Sequence, residues 1–510
     1  MTPVCRPATI LIASVVGLAA WGTPVNAQPT GPTLTVQPST ATLVPVTDTS
    51  RPFGGARTMQ RPIRLDTYGY LEEEFFVSGT ASVYDWNADG RIAVRHAGLP
   101  YTTRILVRRP ADPGRFSGTV LVDFGNRGAG FDTFAVWGQL SQHLLTNGHA
   151  YVAATVFANN LGALRMFDRA RYADLTYPTP AETCGPSRAE TWKRPAEFFP
   201  PADDGVRWDV MSQLGALLKS DGAARPLAGH RVERVYASMQ SGGDLPTYIN
   251  AIARNARLAN GRPVYDAFLI KDSGGPRIAL HDCARPLPEG DPRRTIRDVG
   301  VPVIHIVAQN AVSADTRRPD SDVAGDQFRR YELPGASHFD WWQYNYPAIE
   351  DLAAAGVPPL TDHWIFPSEC RPHQVPMNDF PQPYLFAGAF ANLEAWVRHG
   401  TAPPQAAVIE LRGEAAVVDE FCNARGGVRT PWVDVPAATF HAAMEGGGST
   451  PFRCDDNGYW TPLAWERLEQ VYGGFQVYAA RFLAGVDRMA ADRWITAVDA
   501  QKSKEQFRAR

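Results

Sequence analysis

Apolar and polar positions along the chain follow two different periods. Between Tyr68 and Arg109 they alternate one by one, as expected of antiparallel strands that bury one face. Further along, short continuous apolar runs alternate with segments in which apolar residues recur every three or four positions. This order of buried strands and amphipathic helices predicts an α/β protein with a mostly parallel sheet and helices on both faces. The predicted strands are 118–126, 150–158, 230–238, 264–272 and 301–309, and the predicted helices are 135–148, 207–220 and 386–400.

A turn rich in serine and glycine follows the third predicted strand. In "RVYASMQSGGDLPTYIN", residues 234–250, the apolar strand leads into Ser241, Gly242 and Gly243 and then into helical spacing. An α/β-hydrolase carries its nucleophile at such a turn, and its acid and histidine come later in the chain. His338 follows the last core strand in a Gly-Ala-Ser-His loop, so the order of elements predicts the α/β-hydrolase fold.

Composition and charge narrow the range of partners. The 510 residues carry a formal net charge of -3, which gives no electrostatic reason to expect nucleic acid or an anionic membrane as a partner. The sequence has no phosphate-binding loop, dinucleotide fingerprint or metal-binding histidine pair, so we expect neither a cofactor nor a metal. His281 and Cys283 are close together, but two isolated ligand types are weak evidence of a metal site.

The first residues have the features of a secretory signal. Arg6 precedes an apolar stretch over 8–21, and Val25-Asn26-Ala27 is a small-residue cleavage pattern. No other run is long and apolar enough to span a bilayer, so we expect a protein exported to the periplasm or beyond the cell. The expected organisation is a signal peptide over 1–27, an extended lead-in over 28–65 and a hydrolase domain over 66–510, with an insertion at about 160–205 and a C-terminal extension at about 401–510.

Five cysteines remain after removal of the signal peptide. An oxidising compartment permits disulfides, and these residues have no C-x-x-C spacing that would indicate zinc. Up to two bridges are therefore expected, with one thiol left over. The sequence does not fix the pairing, and only the shared C-terminal location of Cys422 and Cys454 suggests that these two are joined.

Several long stretches resemble a large bacterial family of secreted or periplasmic proteins, the alpha/beta hydrolase domain family. Among them are "EEEFFVSGTASVY", "YTTRILVRRPADPGRFSGTVLVDFGN", "QSGGDLPTYINAI" and "RRPDSDVAGDQFRRYELPGASHFD", and together the matching stretches span most of the mature chain. The resemblance implies an α/β-hydrolase fold and cleavage of carboxylic esters. It therefore implies a small-molecule acyl or ester substrate.

Two positions depart from the family pattern. The family turn reads approximately Gly-x-Ser-Gln-Ser with its first serine as the expected nucleophile, and the aligned residue here is Met239, whose thioether has no proton to give up. Family members also place acidic residues after the strand at 301–309, whereas this chain has Ala308-Gln309-Asn310-Ala311. The usual positions of the nucleophile and the acid therefore both hold residues without that chemistry.

Three interpretations of the candidate triad remain open. In the first, Ser241 is a displaced nucleophile, His338 is the base and Asp272, at the end of the preceding strand, is the acid. In the second, Ser238 replaces the missing serine, although neighbouring residues of a strand point to opposite faces. In the third, the triad is lost and the protein is a binding protein or a non-hydrolytic enzyme. We prefer the first.

The donors of an oxyanion hole are expected near the end of the first predicted core strand. Backbone N–H groups around Gly125 and Asn126 are the candidates there, together with the N–H of Gln240 beside Ser241. Asn126 also suits a role as a turn former.

Further acidic residues lie near His338 in sequence. Asp320 and Asp322 could orient the histidine, although ion pairs with nearby arginines suit them better. Asp340 is expected to cap the aromatic segment 339–347. That segment would either line an apolar substrate pocket or pack against the sheet.

Overall fold

The computed structural model describes residues 33–222, 225–275, 278–357, 370–373, 375–447 and 453–509. The predicted signal peptide, 1–27, lies outside the described residues. Within them, no helix combines the length and the apolar character needed to cross a membrane. The strands are β1 (Leu34–Thr35), β2 (Thr40–Val44), β3 (Tyr70–Trp86), β4 (Ile92–Pro110), β5 (Thr119–Phe124), β6 (Ala150–Ala154), β7 (Arg234–Gln240), β8 (Ala256–Arg257), β9 (Ala267–Lys271), β10 (Val303–Ala308), β11 (Phe328–Leu333), β12 (Leu411–Arg412), β13 (Ala415–Ala416), β14 (Ala438–His441) and β15 (Tyr459–Pro462). The helices are α1 (Ala135–Thr146), α2 (Ala158–Phe167), α3 (Arg188–Trp192), α4 (Arg207–Leu218), α5 (Asp244–Tyr248), α6 (Ile349–Ala354), α7 (Gln382–His399), α8 (Pro431–Asp434), α9 (Trp465–Tyr472), α10 (Phe475–Ala491) and α11 (Ala497–Ala509).

A nine-stranded sheet runs through the described part of the chain. Its strand order is β11-β10-β9-β7-β5-β6-β4-β3-β2. Strands β5, β6, β7, β9, β10 and β11 pair in parallel. Strands β2, β3 and β4 form an antiparallel edge, in which β4 pairs with β6. The carboxyl ends of the parallel strands share one edge of the sheet, so the loops that follow β5, β7, β9, β10 and β11 lie near one another.

Two hydrophobic layers enclose the sheet, as the alternation along β5 shows. Val120 and Val122 belong to one cluster of buried side chains, together with Trp208 of α4. Leu121, which points the other way, belongs to a second cluster with Phe390 of α7. Because each face of the strand is covered by apolar side chains from helices, the expected helices on both faces are confirmed.

Part of the predicted lead-in belongs to the folded body. In β2, Thr40 lies opposite Ser78 of β3, so this strand extends the antiparallel edge of the sheet. In β1, Leu34 pairs in parallel with Ala256 of β8, more than two hundred residues later in the chain. The segment is therefore held at two distant places by backbone pairing.

Disulfides connect distant loops. Cys184, in the predicted insertion, is bonded to Cys283, in the loop that follows β9. Cys370 is bonded to Cys454. The suggested pairing of Cys422 with Cys454 is wrong, because the sulfur of Cys454 is already bonded to Cys370.

Candidate active site

Ser241 lies at the sharp turn between β7 and α5. Its φ is 66°, and Gly242 and Gly243 follow with φ of 74° and 82°, so three consecutive residues are in the left-handed region. The N–H of Ser241 donates to the carbonyl of Lys271 at 2.8 Å, and the N–H of Gly243 donates to the carbonyl of Ser241 at 2.9 Å. A Cβ at Gly243 would lie 2.7 Å from the carbonyl oxygen of Gly275, so the turn requires glycine there. This geometry lifts the Ser241 side chain out of the strand.

Met239 and Ser238 lie in β7, before the turn. The Met239 side chain is buried in the apolar core. Ser238 is also buried, and its hydroxyl donates to the carbonyl of Leu269 at 2.7 Å. The apex of the turn is therefore Ser241. The family pattern suggested a nucleophile at position 239, two residues earlier, but Ser241 itself occupies the turn, so its hydroxyl does not need to move along the turn.

Asp272 and His338 meet at the carboxyl edge of the sheet. Asp272 follows β9 with a φ of 49°, and His338 lies in the loop after β11. Nδ1 of the imidazole is 3.1 Å from Oδ2 of the carboxylate, and both residues are buried. Since Nδ1 faces the carboxylate, Nε2 is the ring nitrogen that can accept a proton from a substrate or a hydroxyl.

The backbone carbonyl of His338 ties this loop to two neighbouring strands. It accepts hydrogen bonds from Nε2 of Gln240 at 3.1 Å, Nε2 of Gln343 at 2.6 Å and Nζ of Lys271 at 3.2 Å. Gln240 directly precedes Ser241, and Lys271 ends β9. The histidine is therefore held beside the serine turn and the acid strand by the same oxygen.

The residues at the end of β10 hydrogen-bond to Asp272 and to His338, although none of these residues is acidic. The N–H of Ala308 donates to Oδ1 of Asp272 at 2.5 Å. Oδ1 of Asn310 accepts the N–H of His338 at 2.7 Å. The segment in which the family pattern places the acid thus orients both members of the pair through neutral groups.

A buried ion pair controls the charge of Asp272. Its Oδ2 contacts Nζ of Lys271, and both side chains are buried. Burial by itself raises the pKa of Asp272, but the Lys271 ammonium, the His338 ring and the Ala308 N–H outweigh it and hold the pKa below its usual range. Asp272 is therefore ionised at neutral pH.

Asp340 is a second buried carboxyl group close to the histidine loop. It accepts hydrogen bonds from Nε2 of Gln139 at 2.9 Å and from the N–H of Gln343 at 2.9 Å. Burial raises the pKa of Asp340 to about 6, although the positive charge of Lys271 opposes the rise. The contact with Gln343 is the capping contact expected at the start of the aromatic segment.

Asp320 and Asp322 are engaged with arginines. Oδ1 of Asp322 is 2.6 Å from the guanidinium of Arg329, and Oδ1 of Asp320 accepts the N–H of Arg330 at 3.0 Å. These carboxylates hold the loop before β11 against that strand.

The aromatic segment after His338 begins in contact with the imidazole. The rings of His338 and Phe339 are 4.8 Å apart between centroids, and Tyr344 and Tyr346 continue the series at 5.7 and 5.3 Å. Both tyrosines are buried. Phe339 thus lies beside the imidazole, and the rest of the segment packs into the core.

The N–H groups expected to form the oxyanion hole are engaged elsewhere. Gly125 donates to the carbonyl of Ala154 at 2.9 Å, and Asn126 donates to the carbonyl of Thr133 at 3.1 Å. The Asn126 side chain donates to the carbonyl of Gln240 at 2.8 Å, so it connects the two loops. The expectation for Gly125 and Asn126 is therefore corrected, because both of their backbone donors already have acceptors.

One N–H group in the loop after β5 and one in the turn after β7 remain available. Among the described residues, no acceptor is bonded to the backbone N–H of Arg127 or of Gly242. Arg127 follows Asn126 in the loop after β5, and Gly242 follows Ser241. Sequence analysis named the N–H of Gln240 as the donor in this turn. The general rule that the residue after the nucleophile donates to the oxyanion, applied to Ser241, is the sequence signal that would have pointed to Gly242 instead.

His281 and Cys283 do not form a metal site. Nε2 of His281 is 2.8 Å from Oδ1 of Asp85, and Cys283 is in a disulfide. Across the described residues, no three histidine, cysteine or acidic side chains are grouped so that they could hold a metal ion.

The chain matches the profile of the family described as "Alpha/beta hydrolase domain" over residues 34–505. It belongs to this family. The family match confirms the fold predicted from the order of strands and helices. No curated protein matches the chain at a significant level.

Solved structures of esterases are also similar to the chain. Est1E from Butyrivibrio proteoclasticus is 11% identical with a TM-score of 0.24, and the match covers 54% of this chain and 96% of that chain. A lipase/esterase from Lactobacillus plantarum is 11% identical with a TM-score of 0.24, covering 47% of this chain and 82% of that chain. The esterase Est22 is 12% identical with a TM-score of 0.26, covering 52% and 72%.

Proposed function

We propose that the protein is an exported hydrolase that cleaves a carboxylic ester or a related acyl compound by a Ser-His-acid mechanism. Membership of the alpha/beta hydrolase domain family supports hydrolysis. The observation that carries the proposal is the position of Ser241 at a left-handed turn. The N–H of Ser241 is bonded to Lys271, the residue before Asp272. The preceding Gln240 is bonded to the carbonyl of His338, whose ring contacts Asp272. In this proposal Ser241 is the nucleophile, His338 is the general base and Asp272 orients the base.

The proposed reaction has two halves. Ser241 Oγ attacks the acyl carbon while its proton moves to Nε2 of His338, and the ionised Asp272 stabilises the imidazolium that forms. The leaving alcohol then takes the proton from Nε2, which leaves an acyl-enzyme. Water attacks the acyl carbon with the same base, and serine is regenerated.

Backbone donors for the developing oxyanion are proposed at Gly242 and Arg127. Both N–H groups lack an acceptor within the described chain, and they belong to the loops that follow β7 and β5. Donors already aimed at the oxyanion need no reorganisation during the reaction, and loss of one such donor typically slows an enzyme by about 100- to 1,000-fold.

The Ser241 hydroxyl has no hydrogen-bond partner in the described part of the chain, and its residue is partly exposed. Contacts between nucleophile and base often tighten only when substrate is bound, so this arrangement is compatible with the proposed transfer to His338. A partly exposed hydroxyl is also accessible to a reactive probe.

A fluorophosphonate probe tests the proposal directly. The wild-type protein is expected to be labelled at Ser241, and Ser241→Ala is expected to abolish the label, as read by intact-protein and peptide mass spectrometry. Ser238→Ala is the matched control, because Ser238 is buried three residues earlier and donates to a backbone carbonyl. That variant should keep the label.

Two results would contradict the proposal. Labelling that persists in Ser241→Ala would assign the nucleophile elsewhere. A folded wild-type protein that resists the probe would instead favour the alternative, a hydrolase-fold protein that binds a ligand or acts without an acyl-enzyme.

Export is the second part of the proposal. The Cys184–Cys283 and Cys370–Cys454 disulfides support it, because such bonds persist in an oxidising compartment and are rare in the cytosol.

A further inference from the structure

A buried lysine lies between the members of the candidate triad. Lys271 ends β9, its side chain is fully buried, and Nζ contacts Oδ2 of Asp272. Nζ also donates to the carbonyl of His338 at 3.2 Å. The proposed reaction uses no step at this cation. Because burial of an ion costs several kcal/mol before it is paired, its place beside the acid and the base requires a physical explanation.

Lys271 and the histidine share one carboxylate oxygen. Oδ2 of Asp272 faces both Nζ of Lys271 and Nδ1 of His338, while Oδ1 accepts the N–H of Ala308. With three donors around it, the carboxylate cannot rotate without losing a hydrogen bond in a buried site. The same ammonium also holds the backbone of the base, so acid and base are fixed relative to each other.

We propose, on the basis of the function proposed above, that Lys271 is a positioning residue that locks Asp272 and His338 together and offsets the carboxylate charge. A cation on the shared oxygen weakens the negative potential at the imidazole. Less negative potential favours the neutral ring, which is the form that accepts the serine proton. Lys271 thus keeps His338 available as a base to lower pH than an Asp-His pair alone would allow.

The other charged groups facing this pair come from four parts of the described chain. Asp340 acts from the loop after β11 and Asp456 from the C-terminal region, and burial raises the pKa of both carboxyl groups. His305 on β10 is held neutral, because burial lowers its pKa to about 3. Arg61, which precedes β3 in the chain, attracts the Asp340 carboxylate electrostatically. Removal of Lys271 therefore leaves mainly carboxylates next to the imidazole.

The test is the titration of His338 in the full-length protein. The ring resonances would be followed by NMR between pH 4 and 9 and assigned by their loss in His338→Gln. In Lys271→Met, whose side chain is similar in length but uncharged, the midpoint of the His338 titration is expected to move up by about one pH unit. The rate of fluorophosphonate labelling falls at low pH when His338 is protonated, and the midpoint of that fall should move up by the same amount.

Two further variants separate charge from packing. Lys271→Gln retains a donor without the charge, so it should show the same upward movement even if Lys271→Met does not fold. Lys219→Met is the matched control, because Lys219 is a partly buried lysine paired with Asp266 at 2.8 Å away from the candidate triad, and it should leave the His338 midpoint unchanged.

The experiment on Lys271 and the experiment on the proposed function can fail independently of each other. An unchanged or lowered midpoint in the folded Lys271 variants overturns this inference, even when the wild-type protein reacts with the probe. A wild-type protein that resists the probe contradicts the esterase proposal, whereas the NMR titration still decides the role of Lys271.

Discussion

At Ser241 the backbone conformation is more informative than the neighbouring letters of the sequence. A residue other than glycine with a φ of 66° costs on the order of 1 kcal/mol or more, and such residues concentrate at functional sites. The family pattern directed attention to Met239, because an alignment compares positions and does not show where the strand ends. β7 continues through Gln240, so the turn falls on the next residue.

Met239→Ser tests this view of the turn. The Met239 side chain is buried in the core, so a serine there would lose apolar contacts and bury a hydroxyl. We expect the free energy of unfolding in urea to fall by about 3 kcal/mol, with no new probe-reactive serine.

The double variant Met239→Ser, Ser241→Ala supplies the decisive measurement. It should remain unlabelled by the fluorophosphonate, and a label at residue 239 would refute the assignment of the turn. Met239→Leu, which conserves volume, is the control and should change the unfolding free energy by less than about 1.5 kcal/mol.

Asp340 gives a prediction for the pH dependence of stability. Its pKa is raised to about 6 in the folded protein, whereas an unfolded aspartate titrates near 4. The folded state therefore binds the proton more tightly, and this contribution is present below pH 4 and lost as the pH rises through 6. In Asp340→Asn that part of the pH dependence should disappear.

Urea unfolding at pH 4 and pH 7.5 measures the effect. Relative to Asp340→Asn, the wild-type protein should lose about 3 kcal/mol of stability between the two pH values, as an order of magnitude for two units of pKa. Equal pH dependence of the two proteins would show that the carboxyl group is not held protonated by the fold.

At the scale of the elements, continuous apolar runs located the core strands well and their ends less well. The strand predicted at 264–272 begins at Ala267, although Val264 and Tyr265 are buried. Buried apolar residues extend into the loop before the strand, so hydrophobicity alone cannot show where the hydrogen bonds of the sheet begin. β2 was missed because "TATLV" is a partly exposed edge strand in a Pro/Thr-rich segment and lacks a continuous apolar run.

The candidate site could be predicted as far as it depends on chain order. Asp272 and His338 were identified because residues at the ends of parallel strands meet at one edge of the sheet. The backbone donors at Arg127 and Gly242 were missed, because whether an N–H is free depends on the path of a loop. Lys271 was missed because a lysine beside an aspartate at the end of a strand resembles a pair of surface charges.

At the scale of the whole molecule, the Cys184–Cys283 disulfide connects two loops that are far apart in the chain. This bond links the insertion to the loop after β9, across 99 residues of chain. In Cys184→Ala, Cys283→Ala the unfolding free energy should fall by about 4 kcal/mol, because the unfolded chain regains the entropy that the bond removes. Thermal and urea unfolding measure this loss.

The single variant Cys283→Ala controls for the two substitutions. It should be destabilised as much as the double variant, since each of them breaks the same bond. At a temperature where both are folded, labelling of Ser241 should persist. A double variant as stable as the wild-type protein would show that the bond does not constrain the chain.

The lead-in has a consequence for the order in which the protein assembles. β1 and β2 leave the ribosome before any of their partners, yet β2 needs β3 and β1 needs β8, which emerges more than two hundred residues later. Until β8 is present, the backbone groups of β1 that pair with it have no native partner and stay hydrated. Docking of β1 is accordingly possible only after the chain has been made as far as β8, whereas β2 can join the sheet as soon as β3 is present.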